Sequence, residues 1–574
     1  MKKAKLIIDT VIIGLIGAAS AQIFVFLLKL ISDNSLKALA KYTPPDVLYI
    51  LKNSAIPSYS HPWIALFVLI TGGLISGILV YSTAPEAEGH GTDTAVRSFH
   101  RTGGYIRPIV TPIKILASAI TIGTGGSAGR EGPTALFSSG VGSIYATIKK
   151  ATSQERRLFV LIGMASGLSA IFRAPIGTSI FAIEVLYSDM EFEAEALVYT
   201  LLGSLIAYMT TGFLMGWQPI FTVPQNLQID TINTYFYLAL LGLISGITGV
   251  ILPNVFYYVR DGFRLIKIPP HFKPAIGAAI VGLIAFKFPQ VLGGGYGWIQ
   301  EAIYGKIAVS IALFLIVAKM LAFTFTVSSG GSGGVFAPTL FIGAMLGCAF
   351  AHLLHQNPSI FAVIGMAAVF GSAARAPLAT TIMVTEMTGG YNLLAAAALS
   401  VLLAYLVQVE ISRRVKAKYF SLYEAQVPDK NYSPVHQLSI LKNIIMCNLP
   451  SFSISPKEIE DKKILNLLET GMPIRLPNDK VLFFGTLLKS LAPERENEFL
   501  KYKNVKIIYI FRDGKWLHPA EIDELTKGDE ILICGKPGDV LQIKDVFKKV
   551  PESFSKLKKQ QINLQRHTKK KVPV

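Results

Sequence analysis

The residues with most chemistry to offer lie in two glycine-rich stretches. One reads Gly125-Gly126-Ser127-Ala128-Gly129-Arg130-Glu131-Gly132-Pro133, the other Gly330-Gly331-Ser332-Gly333-Gly334-Val335-Phe336-Ala337-Pro338, and each stands between apolar segments. Proline is favoured in the first turn of a helix, where its missing N–H costs nothing, so each stretch predicts a helix beginning near its proline. A helix start leaves backbone N–H groups unpaired and carries the positive end of the helix dipole. At membrane depth those donors need an acceptor, and an anion supplies one. Tight packing of small residues accounts for the glycines but not for Arg130-Glu131 inside the run. An ionisable group placed as Glu131 is placed is expensive and marks a functional position. Deprotonated, its carboxylate competes with a diffusible anion for the donors. Protonated, it loses that attraction and can swing away, so one side chain can serve as gate and proton carrier. An intramembrane ion pair with Arg130 is the structural alternative.

Such a site needs elements inside a membrane, and the composition supplies them. Apolar residues make up 51% of the 574 and charged residues only 16%. Charged side chains are about one in nine before Gln426 and three in ten after it, which predicts a membrane part followed by a soluble domain. Apolar segments recur from Ile7–Ile31 to Leu393–Val409. Several, such as Ile176–Leu186 and Leu378–Thr385, are too short to cross roughly 30 Å of hydrocarbon as one helix. Broken spans are tolerated where they line a cavity enclosed by protein. The first apolar run, after Met1-Lys2-Lys3-Ala4-Lys5, is long enough to span and predicts a transmembrane helix with its lysines in the cytoplasm.

The net charge of +18 is shared by both parts, and residues 556–574 form a basic tail. Basic segments beside spans mark the cytoplasmic face of a lipid bilayer more often than a nucleic-acid partner, and none is expected here. Three scattered cysteines and nine histidines give no disulfide framework and no metal-ligand spacing, so no metal or other cofactor is expected. An intramembrane enzyme using Glu131 as its acid lacks a nucleophile–base pair. A cation channel would present carbonyls where these helix starts present donors.

The glycine stretches are parts of a larger correspondence. Lys114 and the run to Pro133 match Lys319 and the run to Pro338 at a constant offset of 205. Gly163-Met164-Ala165, Arg173-Ala174-Pro175 and Glu184 match Gly365-Met366-Ala367, Arg375-Ala376-Pro377 and Glu386 at an offset of 202. The membrane part is therefore a tandem duplication, with halves over about 83–211 and 286–406. Interrupted segments at corresponding places of two halves point to a transport site.

Gly129-Arg130-Glu131-Gly132-Pro133 and Gly334-Val335-Phe336-Ala337-Pro338 resemble the GREGP and GxFxP motifs of the CLC family of chloride channels and chloride/proton antiporters. The resemblance covers residues 1–425 and implies an all-α polytopic membrane fold, an inverted repeat with broken helices. It further implies a homodimer with one pathway per subunit for chloride and similar small monovalent anions. By resemblance Glu131 is the gating glutamate, with protons as its partners, and Val335 and Phe336 give backbone donors to the ion. Gly129, Arg130, Gly132, Gly334 and Ala337 complete the two motifs around the anion. Tyr423, in Ser421-Leu422-Tyr423-Glu424, resembles the pore tyrosine, with Tyr419 the weaker match. Lys114 would raise the positive potential along the pathway, unless it snorkels to the interface.

Two departures matter. The GSGIP segment of the family corresponds to Gly89-His90-Gly91-Thr92-Asp93, so His90 replaces an anion-binding serine, and a ring or backbone N–H would have to donate instead. The internal glutamate of well-studied antiporters corresponds to Val185, which cannot carry a proton. Asp189, Glu191, Glu193 and Glu195 lie beyond it as substitutes or as a solvated helix terminus, and Glu184 and Glu386 recur in both halves as caps or packing residues. The expectation is a passive, proton-gated chloride channel, with a chloride/proton antiporter as the alternative, in the cell membrane with both termini cytoplasmic. Residues 426–555 predict a small α+β cytoplasmic domain, with a strand at 505–510, a turn at 512–515, a turn, strand and stop over 525–535, and the segment 481–487 before them. It is similar over 470–550 to the TrkA C-terminal domain of ion-transport regulators, which implies a dimerising module or one that senses a small-molecule ligand.

Overall fold

The computed structural model describes nearly all of residues 2–430 and, further on, chiefly the strand segments between residues 474 and 548. It divides into two compact units, Met1–Pro428 and Asp429–Val574. The expected basic tail, Cys447, and Asp513-Gly514 of the expected turn lie outside the described residues.

Sixteen helices of eight residues or more build the first unit among the described residues. Helix α1 (Lys2–Ser32) precedes a first set, α2 (Pro62–Thr83), α3 (Thr92–Arg101), α4 (Val110–Gly123), α5 (Glu131–Ile148), α6 (Ser153–Phe172), α7 (Pro175–Glu184) and α8 (Ala194–Met215). After α9 (Ile232–Leu265) comes a second set, α10 (Lys273–Ala285), α11 (Tyr296–Ile303), α12 (Val309–Ser328), α13 (Phe336–Leu353), α14 (Pro358–Ala374), α15 (Pro377–Thr388) and α16 (Leu394–Arg414). The sets match helix for helix, α2 with α10 through α8 with α16. Helices α5 and α13 have 18 residues each, offset by 205 at both ends. Helix α14 is shorter than α6 by three residues, which is where the offset falls to 202. The match reaches back past the expected start near Thr83, to α2 and α10, which lead into the 3-10 turns Pro85–Ala87 and Pro289–Val291.

Among the described residues, seven helices are long and apolar enough to cross a bilayer. Others are not: α7, with ten residues, is about 15 Å long, half the thickness of the hydrocarbon. Large apolar side chains on the long helices face outward, Phe67 at 66% and Phe213 at 85% exposure, as a lipid-facing surface requires and a water-facing one does not. The chain is a multi-pass membrane protein of this broken-helix, inverted-repeat fold.

A broken helix inside a protein still owes partners to its first N–H groups. Two carboxylates meet that debt reciprocally. Glu184, at the end of α7, accepts from Leu378 N at 3.1 Å and Ala379 N at 2.7 Å, at the start of α15. Glu386, near the end of α15, accepts from Ile176 N at 3.1 Å and Gly177 N at 2.7 Å, at the start of α7. Each half thus caps the other, as a pseudo-two-fold relation demands. Arg173 and Arg375 end α6 and α14 in the left-handed conformation, with φ of 53° and 52°, so both halves reverse direction at the same place before the short helices.

The second unit contains an antiparallel sheet of β1 (Ile474–Leu476), β2 (Lys480–Leu487), β3 (Lys506–Arg512), β4 (Lys515–Leu517), β5 (Glu530–Gly535) and β6 (Phe547–Lys548). The order is β1-β2-β5-β3-β4, with β6 also on β2. The buried Ile531, Leu532 and Ile533 place β5 at its centre. Asp529, in the turn before β5, accepts two bonds from Arg512 at 2.7 Å and one from Thr526 N at 2.7 Å.

Candidate functional site where two helix starts meet

Gly129 and Gly334 form an antiparallel bridge in which each N–H donates to the other's carbonyl at 2.7 Å. The bridge sets the starts of α5 and α13 face to face. It also corrects an expectation: the N–H groups of Gly129 and Gly334 are spent on each other and are not donors to an anion. Helical bonding resumes with Thr134 N to Arg130 O and Thr339 N to Val335 O, each at 3.2 Å. The N–H groups of Arg130, Glu131 and Gly132, and of Val335, Phe336 and Ala337, fall ahead of those bonds, among the orphan donors of the two starts.

The approach is close because the backbone is bare. A Cβ on Gly132 would stand 2.3 Å from His90 O and 2.9 Å from Gly334 Cα, and one on Gly334 would stand 2.7 Å from Gly132 N. Three peptide segments, 89–91, 129–132 and 333–335, therefore share a space with no room for side chains among them. The Phe336 side chain turns away into an apolar wall, its ring 4.1 Å from that of Phe370 and 4.4 Å from that of Phe172.

The Glu131 carboxyl lies at this junction, 1% exposed. A Cβ on Gly129 would fall 2.2 Å from Glu131 Oε2 and 3.0 Å from Ala337 N, so the carboxyl sits against the start of the opposite helix. Oε2 is buried without a hydrogen-bond partner, while Oε1 accepts from the Tyr296 hydroxyl. Arg130 Nε is 3.9 Å from Oε1, too far for a hydrogen bond, and its guanidinium lies 4.7 Å over the Tyr296 ring instead. The two side chains thus stand at ion-pair distance with no hydrogen bond between them. Tyr296 was passed over in the sequence. Its signal was the register of Gly293-Gly294-Gly295-Tyr296 with Gly89-His90-Gly91-Thr92, at an offset of 204.

The two buried lysines show the same register. Lys114 Nζ donates to Ala87 O at 2.9 Å and Gly89 O at 2.7 Å, and Lys319 Nζ to Val291 O at 2.8 Å and Gly293 O at 2.7 Å. Both side chains are fully buried, so neither snorkels. Each fixes a glycine turn from behind.

On the α3 side, His90 Nε2 is 3.2 Å from Asp93 Oδ2, and Nδ1 is buried without a partner. With Nε2–H donating to Asp93, a neutral ring offers only a lone pair at Nδ1, and an N–H appears there only on the doubly protonated ring. Tyr423 is 2% exposed and its ring lies 5.5 Å from that of His90. Asp93 also accepts from Ala425 N at 3.0 Å, which ties the Tyr423 segment to the start of α3. Tyr419 stands apart, bonded through its hydroxyl to Asp261.

Val185 is fully buried, and Glu184 beside it is committed to the cap on α15. The acidic run beyond has local partners: Asp189 is 3.8 Å from Arg375, Glu193 accepts from the Tyr187 hydroxyl, and Glu191 from Phe192 N. It lies on the connection into α8 and not at the junction.

The chain matches the family model described as voltage gated chloride channel over residues 72–409. The voltage-gated ClC-type chloride channel ClcB of Citrobacter koseri is 28% identical over 366 residues, 62% of this chain and 85% of that protein. The H(+)/Cl(-) exchange transporter ClcA of Vibrio parahaemolyticus is 30% identical over 359 residues, 59% of this chain and 76% of the transporter. Among solved structures, that of a slow cyanobacterial Cl-/H+ antiporter superposes with a TM-score of 0.62 at 23% identity, over 72% of this chain and 96% of the other. A CLC-type fluoride/proton antiporter gives 0.60 at 24% identity, over 74% and 98%.

Proposed function

The chain belongs to the voltage-gated chloride channel family, and from that premise we propose that it conducts chloride and similar small anions passively, with Glu131 as a proton-operated gate. The observation that carries the reading is the position of the Glu131 carboxyl, buried against the starts of two helices whose donors suit an anion. When charged, the carboxylate holds the place of the ion. When protonated, it no longer competes, and chloride takes the orphan N–H groups of Val335 and Phe336, with Tyr423 closing the site. Lys114 and Lys319 hold the two glycine turns in place from behind. Val185 and the capping duty of Glu184 favour conduction over exchange, because neither carries a proton onward.

One observation favours the antiporter as a second reading. His90 and Asp93 form a titratable pair beside Tyr423, and anion binding at Nδ1 would require a second proton on the ring. In either case we place the protein in the cell membrane as a homodimer with both termini cytoplasmic. The second unit then acts as a TrkA-C-like dimerising module or one that senses a small-molecule ligand.

The test is flux from liposomes with the voltage clamped and the internal pH recorded. The expected result is chloride movement without uphill proton movement, rising as pH falls, and in Glu131→Gln a flux that persists with no pH dependence. Uphill proton movement on a chloride gradient rejects the channel in favour of exchange. A Glu131→Gln profile that still titrates removes Glu131 from the gate.

A further inference from the structure

Glu131 receives its hydrogen bond from an element of the other half. We infer that Tyr296 is the latch of this carboxyl: its hydroxyl holds Glu131 in place at the helix starts and sets the pH at which the side chain is released. The inference rests on the reading of Glu131 as a gate and adds the residue that positions it.

Among the described residues, Tyr296 gives the carboxyl its side-chain hydrogen bond, to Oε1, while Oε2 has none and Arg130 is out of hydrogen-bond reach. The tyrosine is itself held from several directions. Its ring stacks on that of Phe221, with centroids 5.8 Å apart and 19° between planes, and the Arg130 guanidinium covers it. Phe221 N is bonded to Met387 O at 2.9 Å, which fastens that ring to α15. The preceding residue, Gly295, has φ of +82°, and a Cβ there would stand 2.7 Å from the Phe341 ring. Lys319 holds the carbonyl of Gly293 just before it. The hydroxyl is thus delivered from a rigid turn, the counterpart of the one that brings in His90.

The charged and titratable groups that act on this carboxyl are Arg130 beside it, Tyr296 from α11 and Tyr423 from the segment after α16. Asp46 and Arg173 act in turn on Arg130. Lys114 and Lys319 lie behind the two glycine turns. Of these, Tyr296 is the one whose hydroxyl donates to the carboxyl. A hydrogen bond to the charged form of an acid favours that form, so the latch lowers the pH at which Glu131 takes its proton. Once the proton is taken, the acceptor weakens and the arm is freed.

Tyr296→Phe keeps the ring and removes the donor. In liposomes it is expected to raise the midpoint of chloride flux against pH by about one unit, a tenfold change in proton concentration, with the plateau at acid pH unchanged. In the Glu131→Gln background the same substitution is expected to change nothing. An unmoved midpoint in Tyr296→Phe, with Glu131→Gln flat, overturns the latch and leaves the gate standing. A Glu131→Gln profile that still titrates overturns the gate and the latch with it. An equal change of flux by Tyr296→Phe in both backgrounds places the tyrosine on the pathway and also overturns the latch.

Discussion

A carboxylate that is 1% exposed survives as a charge only where donors compensate the lost water, and the junction offers the Tyr296 hydroxyl and the dipoles of two helix starts. An anion in its place would draw on the same helix starts and on the Tyr423 hydroxyl, so removing that hydroxyl should show in anion affinity. A hydrogen bond to a charged group is worth about 1.5–3 kcal/mol. Tyr423→Phe is therefore expected to weaken chloride binding by about tenfold or more, measured by calorimetry on the Glu131→Gln protein, in which the gate no longer competes. Unchanged affinity would take Tyr423 out of the site. Glu131 stood out in the sequence because glycine, proline and acid stand there at spacings that packing alone does not need, while Val335, Phe336 and Tyr423 were named only by resemblance to the family motifs. Tyr296 was not: its hydroxyl reaches Glu131 across 165 positions of chain, and nothing local marks it. Gly129 and Gly334 misled for a related reason, since a bridge between two distant glycines leaves no trace in either stretch.

Each apolar segment read from the sequence overlaps one helix of the structure and overruns it by two residues at most. The two helices of the membrane unit that escaped, Thr92–Arg101 and Tyr296–Ile303, are short and carry polar residues, so no apolar run announces them. They are also the two that bring His90 and Tyr296 toward the junction, which is why the site was half legible while the spans were nearly all so. The mutual caps of α7 and α15 give a prediction at this scale. Glu184→Leu strips two buried N–H groups of their partner, at about 1–3 kcal/mol for each unsatisfied donor. Its thermal unfolding in detergent is expected at a clearly lower temperature, Glu386→Leu is expected to match it, and Glu184→Gln should recover part of the loss. The midpoint of flux against pH should stay in place in Glu184→Gln. A moved midpoint without loss of stability would make Glu184 a proton carrier and not a cap.

Across the whole chain, the duplication explains why a single pathway is built from distant residues: each half supplies one helix start, one buried lysine, one capping glutamate and one glycine turn. Repeats at constant offset made that architecture visible, and the charge density divided membrane part from soluble part. The sheet of the second unit was legible in β2, β3 and β5, whose apolar runs are bounded by turns, and not in β1, β4 and β6, which have two or three residues each. The central claim is that one place at the meeting of α5 and α13 is held by the Glu131 carboxyl or by an anion, never both. Crystals of the Glu131→Gln protein soaked in bromide test it most directly, through anomalous difference density. The account predicts a bromide peak within hydrogen-bond reach of the Val335 and Phe336 amides, absent from wild-type crystals grown at alkaline pH. Crystals of the variant with no peak there, while the same protein still passes chloride, would contradict it.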